Sequence, residues 1–285
     1  MIDAREERRL IFQDTKDIYE TNPVLKKAIK DSKEQQEVIC EQEQMDIQFT
    51  KKDQVGNIIV SKKRSLEAAM AYKGKKVCVL NFASATNAGG GVVNGSSAQE
   101  EAICRCSTLY PCISEENTTR QFHLQHRKML EENTMTALYN DDCIYTPNVV
   151  VFKTDTNQPK QMPQNDWFEV DIITCAAPNL RRIPSNRMNP NGGKTAAKIS
   201  DKDLLNLHTK RIKRILDIAG NHKAEVVILG AFGCGAFQNP PQIVAEAMAR
   251  VLKEYRNVFE TIEFAVYCPP NDMTNYEVFK RRLTL

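Results

Sequence analysis

Long hydrophobic runs are missing from this chain of 285 residues. A membrane-spanning helix needs about 20 consecutive, mostly apolar residues, and no stretch of the sequence approaches that length. The segment MIDAREERRLIF at the start carries charges without an apolar core, so it does not have the pattern of a secretory signal peptide. We therefore expect no membrane partner and an intracellular location, which is the cytoplasm or, in a eukaryote, the nucleus.

A large excess of one charge is also missing. The chain has 39 basic and 36 acidic residues and a net charge of +3, whereas a nucleic-acid-binding domain usually has a strongly basic face. We therefore expect no specific nucleic-acid partner.

The nine cysteines form no recognisable framework. Their number is odd, and thiols of an intracellular protein stay reduced. One stretch of the chain contains the thiol and imidazole groups that zinc favours: Cys104, Cys106, Cys112, His123 and His126. Their spacing matches no recognised zinc motif, so we expect buried thiols and no metal.

The common glycine-rich nucleotide signatures are missing as well. No G-x-x-x-x-G-K-[ST] phosphate loop occurs, and Gly230–Phe237, GAFGCGAF, has the spacing G-x-x-G-x-G instead of G-x-G-x-x-G. The chain therefore has no Walker A motif, and its second glycine loop fits the dinucleotide fingerprint poorly.

Short apolar segments alternate with helical patterns along most of the chain. The predicted strands include KVCVLN at 76–81, FEVDIITC at 168–175, EVVIL at 225–229 and TIEFAVYC at 261–268. Strands that alternate with helices are typical of a layered α/β domain with a buried sheet.

The start of the chain has a different character. Residues 1–44 are polar and favour two helices, Arg5–Tyr19 and Pro23–Glu43, and a short strand is predicted next, at MDIQF. We therefore predict a helical extension over residues 1–44 and a main domain over residues 45–285.

What the sequence does contain is glycine concentrated in two loops. Seven of the 12 glycines lie there: Gly89, Gly90, Gly91 and Gly95 in the first loop, and Gly230, Gly233 and Gly235 in the second. Each loop follows an apolar segment, and open α/β sheets bind ligands at the carboxyl ends of their strands. Because glycine has no Cβ, such loops let backbone N–H groups reach a diphosphate. The alternative is two tight turns without a ligand.

A carboxylate pair follows the first loop, at the start of a helix predicted from Ala98 to Leu109. Glu100 and Glu101 are adjacent, and adjacent helical residues point about 100° apart. They therefore cannot face each other across a glycosidic bond as two carboxylates do in many glycosidases. We expect one of them to act as acid and base while the other binds substrate hydroxyls. The alternative is that both only complement the positive end of the helix dipole.

Two side chains of the second loop are candidates for ligand contact. Cys234 has the chemistry of a nucleophile, but no histidine lies near it in the sequence, so we expect a small residue that packs beneath the loop. Phe237 packs either on a sugar ring or in the core.

The spacing GGG, seven residues, QEE resembles the GGG-X6-8-QEE signature of poly(ADP-ribose) glycohydrolases, which are macrodomain enzymes. The longer segments NFASATNAGGG and LGAFGCGAFQNPP are similar to the bacterial, or microbial, type of this family. The resemblance covers residues 45–285 and is weak before them. Ala88 stands where many members have proline.

The resemblance implies a three-layer, macrodomain-like mixed sheet flanked by helices. It also implies that Glu101 is the catalytic residue and that Glu100 holds a ribose hydroxyl beside it. The remaining implied substrate-binding residues are Asn87, Gly89, Gly90, Gly91, Val92 and Gln99 around the first loop, and Gly233, Cys234, Gly235, Ala236 and Phe237 in the second.

The implied activity is hydrolysis of the ribose–ribose O-glycosidic bonds of poly(ADP-ribose), with ADP-ribose as product and no cofactor. The implied partners are the polymer or ADP-ribosylated proteins. Two alternatives stay open at this point: a macrodomain that only binds ADP-ribose, and a hydrolase of single ADP-ribose units on proteins.

Overall fold

A mixed sheet of seven strands forms the centre of the molecule. A computed structural model describes residues 3–187 and 190–284. The strands of this part of the chain are β1 (Glu37–Ile39), β2 (Asn57–Ser61), β3 (Val77–Phe82), β4 (Cys143–Val151), β5 (Phe168–Cys175), β6 (Val226–Leu229) and β7 (Thr261–Ala265). Their order across the sheet is β1-β4-β5-β3-β6-β7-β2.

The parallel part of the sheet positions the two glycine loops. β3 pairs in parallel with β5 on one side and with β6 on the other, and β7 and β2 continue the parallel pairing. β4 and β1 are antiparallel and form the other edge. β3 and β6 are parallel neighbours. The loops that follow them therefore begin side by side, at the carboxyl ends of the parallel strands.

Ten α-helices occur among the described residues, and none is long and apolar enough to cross a membrane. They are α1 (Ala4–Thr21), α2 (Pro23–Gln35), α3 (Ser65–Met70), α4 (Gln99–Cys106), α5 (Leu109–Ile113), α6 (Glu116–Thr119), α7 (Gln125–Glu131), α8 (Asp201–Asn221), α9 (Pro241–Tyr255) and α10 (Thr274–Leu283). Local chemistry explains several starts: the side chain of Asn22 caps α2, that of Ser200 caps α8, and proline opens both α2 and α9.

The sheet separates two hydrophobic cores, and alternating residues of β3 face one core or the other. Cys78 and Leu80 face the core that is completed by α8, α9 and α10, whereas Val77 and Val79 face the core completed by α1, α3 and α4. The molecule therefore has helices on both faces of one sheet. The three-layer α/β prediction is confirmed.

Some local predictions are wrong. The helix predicted from Ala98 to Leu109 ends at Cys106, and the strand predicted at 261–268 ends at Ala265. MDIQF forms no strand, because Met45 and Phe49 pack as single side chains against the core under α8 and α9. The second predicted helix ends at Gln35 instead of Glu43, and β1 follows it and pairs with β4.

Residues 1–44 pack tightly against the rest of the molecule. The ring of Phe12 meets the ring of Tyr110 edge-on, with 4.9 Å between centroids. The Thr15 hydroxyl donates to the Arg105 carbonyl of α4 at 2.7 Å, and Lys153 pairs with Asp14 at 2.6 Å. α1 is thus part of the layer that carries α4. The boundary at residue 44 stays a prediction.

Replacement of Phe12 measures how far the fold depends on α1. Phe12 is 3% exposed, and loss of a buried phenyl ring typically lowers the free energy of unfolding by about 3–5 kcal/mol. We expect a loss of that size for Phe12→Ala in urea denaturation. Leu10→Ala is the control, because Leu10 is on the same helix and 47% exposed, and we expect a change within about 0.5 kcal/mol. Equal free energies of unfolding for the two variants would show that the packing of α1 does not stabilise the fold.

Candidate active site

A cavity of about 1140 Å³ opens where the loops after β3 and β6 meet. Its wall contains Gly90 and Gly91 of the first loop, both glutamates at the start of α4, and the second loop from Gly233 to Phe237. The volume exceeds the range of about 300–1000 Å³ that is usual for small-molecule sites. The two loops and the carboxylate pair therefore share one large site.

The first loop lies directly on the carboxylates. The Gly91 N–H donates to Glu101 Oε1 at 2.9 Å. A Cβ on Gly90 would lie 2.6 Å from Glu101 Oε1 and 3.0 Å from Glu100 Oε2, and the φ of Gly90 is +58°. Only glycine combines this left-handed backbone with so close an approach. The adjacent glutamates leave the helix in different directions, but both head groups reach the same glycine.

Glu100 and Gln99 attach the start of α4 to the end of β3. Glu100 accepts from the Ser84 N–H at 2.7 Å and from Asn81 Nδ2 at 3.3 Å. The Gln99 side chain accepts from the Phe82 N–H and donates to the Leu80 carbonyl, both at 2.8 Å. These hydrogen bonds fix the position of the two carboxyl groups relative to the end of β3. Gln99 still lines the cavity, although its amide group is engaged with β3.

Burial raises the pKa of both carboxyl groups. Glu100 is 2% exposed, and burial together with the nearby charge of Glu101 raises its pKa well above the ordinary value. Burial also raises the pKa of Glu101, although the hydrogen bond from Gly91 and the charge of Arg105 act in the opposite direction. Two buried carboxylates that approach one point cannot both ionise easily. The pair therefore favours a state in which it retains a proton.

The second carboxyl oxygen of Glu101 has no protein partner. Within residues 3–187 and 190–284, Oε2 is buried and makes no hydrogen bond, whereas Oε1 is occupied by the Gly91 N–H. When Glu101 is neutral, its proton therefore belongs on Oε2. A buried polar atom without a partner requires a functional or solvent explanation, and a proton that is transferred to a ligand provides one.

The second loop exposes unpaired backbone donors. In the described part of the chain, the N–H groups of Gly235, Ala236 and Phe237 have no acceptor. Asn239 fixes the loop from below, because its Nδ2 donates to the Pro178 carbonyl at 2.7 Å and to the Gly233 carbonyl at 3.0 Å. Several N–H groups held toward one cavity form an anion-binding concavity.

Cys234 and Phe237 both lie in the cavity wall. Burial raises the pKa of the Cys234 thiol to about 12, so it carries little thiolate near neutral pH and is a poor nucleophile. The ring of Phe237 is half-buried, with its centroid 6.1 Å from that of Tyr139. Phe237 thus has support on one face and remains at the cavity on the other side.

Three predicted first-loop residues lie behind the wall, in the part of the chain that the structure describes. Val92 is fully buried in the core, Gly89 packs against the ring of Tyr110, and Asn87 accepts a hydrogen bond from Arg127 at 2.6 Å. They shape the loop from beneath. Their contact with a ligand stays a prediction.

Several residues that hold the first glycine loop in place were not assigned this role from the sequence. Arg127 also donates to the Thr86 carbonyl at 2.7 Å, and His123 and His126 both lie within 3.3 Å of the Ala85 carbonyl. The histidines thus hold the segment before the glycines, and no cluster that could bind a metal ion is present among the described residues. The only sequence signal for Asn81 and Ser84 is their position, at the last residue of a predicted strand and three residues beyond it.

The raised pKa of Glu100 predicts a pH-dependent stability difference. Above the ordinary pKa of 4.5 the unfolded chain loses this proton while the folded protein keeps it, so folding becomes less favourable as pH rises toward the folded pKa. Glu100→Gln removes the titrating group. Relative to wild type, we expect the free energy of unfolding of the variant to increase by about 1.4 kcal/mol per pH unit between these two pKa values.

Urea denaturation of both proteins from pH 4.5 upward measures this gain. The new amide changes the free energy of unfolding by the same amount at every pH. It therefore does not affect the comparison, which uses only the slope of the stability difference against pH. The control is Glu116→Gln at an exposed position, for which we expect no slope. A pH-independent difference between Glu100→Gln and wild type would contradict the raised pKa.

The geometry agrees with what comparisons with known proteins find. The family model described as microbial-type PARG, catalytic domain, matches residues 10–154. No curated protein sequence matches. A solved poly(ADP-ribose) glycohydrolase (PARG) from Thermomonospora curvata, bound to the inhibitor ADP-HPD, is 26% identical with a TM-score of 0.77, over 97% of this chain and 99% of that one.

A second solved structure, PARG from Deinococcus radiodurans in complex with ADP-ribose, is 26% identical with a TM-score of 0.72. The match covers 90% of this chain and 96% of that one. The family model begins within α1 and ends just after β4, and thus includes the first glycine loop and both glutamates. The chain belongs to the family of microbial-type poly(ADP-ribose) glycohydrolases.

Proposed function

We propose that this chain hydrolyses the ribose–ribose O-glycosidic bonds of poly(ADP-ribose) and releases ADP-ribose. Family membership supports the reaction, and the PARG from Deinococcus radiodurans binds ADP-ribose in a structure similar to this one. One observation carries the assignment of the chemistry: Glu101 is a buried glutamate with one oxygen fixed by the first loop and the other unpaired.

The cavity wall supports one orientation of the terminal ADP-ribose. The unpaired N–H groups of the second loop suit its diphosphate. The ribose that is cleaved then lies over Glu101, and Phe237 packs beside it. At the β7 side of the cavity, the Arg64 guanidinium stacks on the ring of Tyr267 at 4.0 Å. These flat groups suit adenine.

The reaction needs one carboxyl group that is first an acid and then a base. Neutral Glu101 donates its proton to the 2′-oxygen of the neighbouring unit as the bond from that oxygen to the anomeric carbon breaks. The ribose acquires oxocarbenium character, which the bound diphosphate stabilises. Ionised Glu101 then accepts a proton from the water that attacks the anomeric carbon, and the neutral acid is restored.

Two other activities use parts of the same site. A macrodomain that only binds ADP-ribose needs the loops but not a buried acid, so Glu101 argues against it. Removal of single ADP-ribose units from proteins would use the same acid. ADP-ribose release from free polymer and from modified protein, measured side by side, separates these two reactions.

Loss of the acid is the first test. We expect Glu101→Gln to lower the rate of ADP-ribose release from polymer by at least about 100-fold, the usual minimum for a general acid. Calorimetry should show ADP-ribose affinity within about threefold of wild type, because the amide oxygen can still accept from Gly91. Glu116→Gln serves as the matched exposed control. Near-normal turnover in Glu101→Gln would remove Glu101 from the mechanism.

Two glycines of the second loop test the diphosphate site. A Cβ on Gly235 would meet nothing within 4 Å, whereas one on Gly230 would lie 2.6 Å from the Ala265 carbonyl. We therefore expect Gly235→Ala to keep the thermal unfolding midpoint but to weaken ADP-ribose binding at least about tenfold, about 1.4 kcal/mol. Gly230→Ala should instead lower the midpoint. Unchanged affinity in Gly235→Ala would place the diphosphate elsewhere.

A further inference from the structure

Three arginines surround the turn that leads into α4. Arg5 Nε donates to the Asn94 carbonyl at 2.7 Å, Arg8 Nε donates to the Gly95 carbonyl at 2.7 Å, and an Arg105 terminal nitrogen donates to the Ser96 carbonyl at 2.6 Å. Three successive carbonyl groups are therefore each held by a different guanidinium. We call Arg5, Arg8 and Arg105 the arginine cluster.

The cluster is fixed by close packing of α1 on this turn. Gly95 has a φ of +75°, and a side chain there would collide with the backbone carbonyl of Arg5. Arg105 is 4% exposed and lies beneath the turn, whereas Arg5 and Arg8 reach the cavity wall beside Ser96 and Ser97. The cavity thus extends past the glutamates to a wall formed by α1.

Arg8 and Arg105 bring positive charge to this wall. Among the described residues, neither Arg8 nor Arg105 has a carboxylate within ion-pair distance, and the two terminal nitrogens of Arg8 donate no hydrogen bond. Burial lowers the pKa of Arg105, and the charge of Arg8 acts in the same direction. An anion beside Arg8 would relieve this repulsion, and the planar guanidinium suits a phosphate.

The proposed reaction supplies such an anion. The leaving group is the 2′-oxygen of the next adenosine, and the pyrophosphate of that unit is joined to the same ribose. It therefore lies within one sugar of the scissile bond, on the side where the substrate leaves the pocket of the terminal unit. The turn held by the arginine cluster leads directly into the helix that carries Glu101.

We propose that Arg8, with Arg5 beside it, binds the pyrophosphate of the second ADP-ribose unit of the polymer. This inference rests on the proposed function. It makes α1 a polymer-binding element and predicts tighter binding of polymer than of ADP-ribose alone. The additional volume of the cavity is the space that the second unit enters.

Binding assays in a Glu101→Gln background test this proposal without turnover. The probes are ADP-ribose and size-fractionated poly(ADP-ribose), measured by calorimetry and by fluorescence anisotropy at several salt concentrations. We expect Arg8→Gln to weaken polymer binding roughly five- to tenfold, to reduce its salt dependence by about 0.7–1 in log–log slope, and to leave ADP-ribose affinity unchanged.

Two further variants control for effects on the fold. Arg9→Gln removes the adjacent guanidinium, which is exposed and paired with Glu6, and should change neither affinity. Ser97→Asp removes no hydrogen bond, adds negative charge at an exposed position of the same wall, and should weaken polymer binding selectively.

Equal polymer affinities in Arg8→Gln and Arg9→Gln would overturn the proposal, and so would a parallel loss of ADP-ribose binding in Arg8→Gln. If the Glu101→Gln parent bound neither probe, the proposed function itself would fail, and this inference with it.

Discussion

The contact between the first glycine loop and the two buried glutamates determines the rest of the site. The Gly91 N–H fixes one oxygen of Glu101, and no atom larger than hydrogen fits on Gly90 between the carboxyl groups. Two carboxyl groups buried this close together favour retention of a proton. Burial also raises the pKa of Glu101, so the same packing fixes the position of this carboxyl group and favours its protonated form.

The surrounding elements hold this contact from three directions. β3 holds the start of α4 through Gln99 and Glu100, α7 holds the segment before the glycines through Arg127, and α1 holds the turn before α4 through Arg5 and Arg8. Residues far apart in the chain therefore converge on one short loop. Since Arg5 and Arg8 line one wall of the cavity, α1 belongs to the cavity wall as well as to the fold.

Local patterns predicted the features that depend on local chemistry. β5 coincides with the predicted FEVDIITC, and the start of α9 follows from its prolines. The glycine runs and the glutamate pair indicated the site because close backbone approach permits few residue types. Long-range packing decided the rest: β1 exists only because β4 pairs with it, and MDIQF is irregular because its apolar side chains fill a gap beside α8. Asn239, Arg5 and Arg8 carry no local signal, since each has a partner at least 60 residues away in the sequence.

The dependence of polymer cleavage on pH tests whether a neutral Glu101 begins the reaction. If neutral Glu101 is the acid, kcat/KM for ADP-ribose release from poly(ADP-ribose) falls about tenfold per pH unit above the raised pKa of Glu101. A kcat/KM that instead rises with pH through this range would require an ionised Glu101 in the bond-breaking step and would exclude Glu101 as the acid.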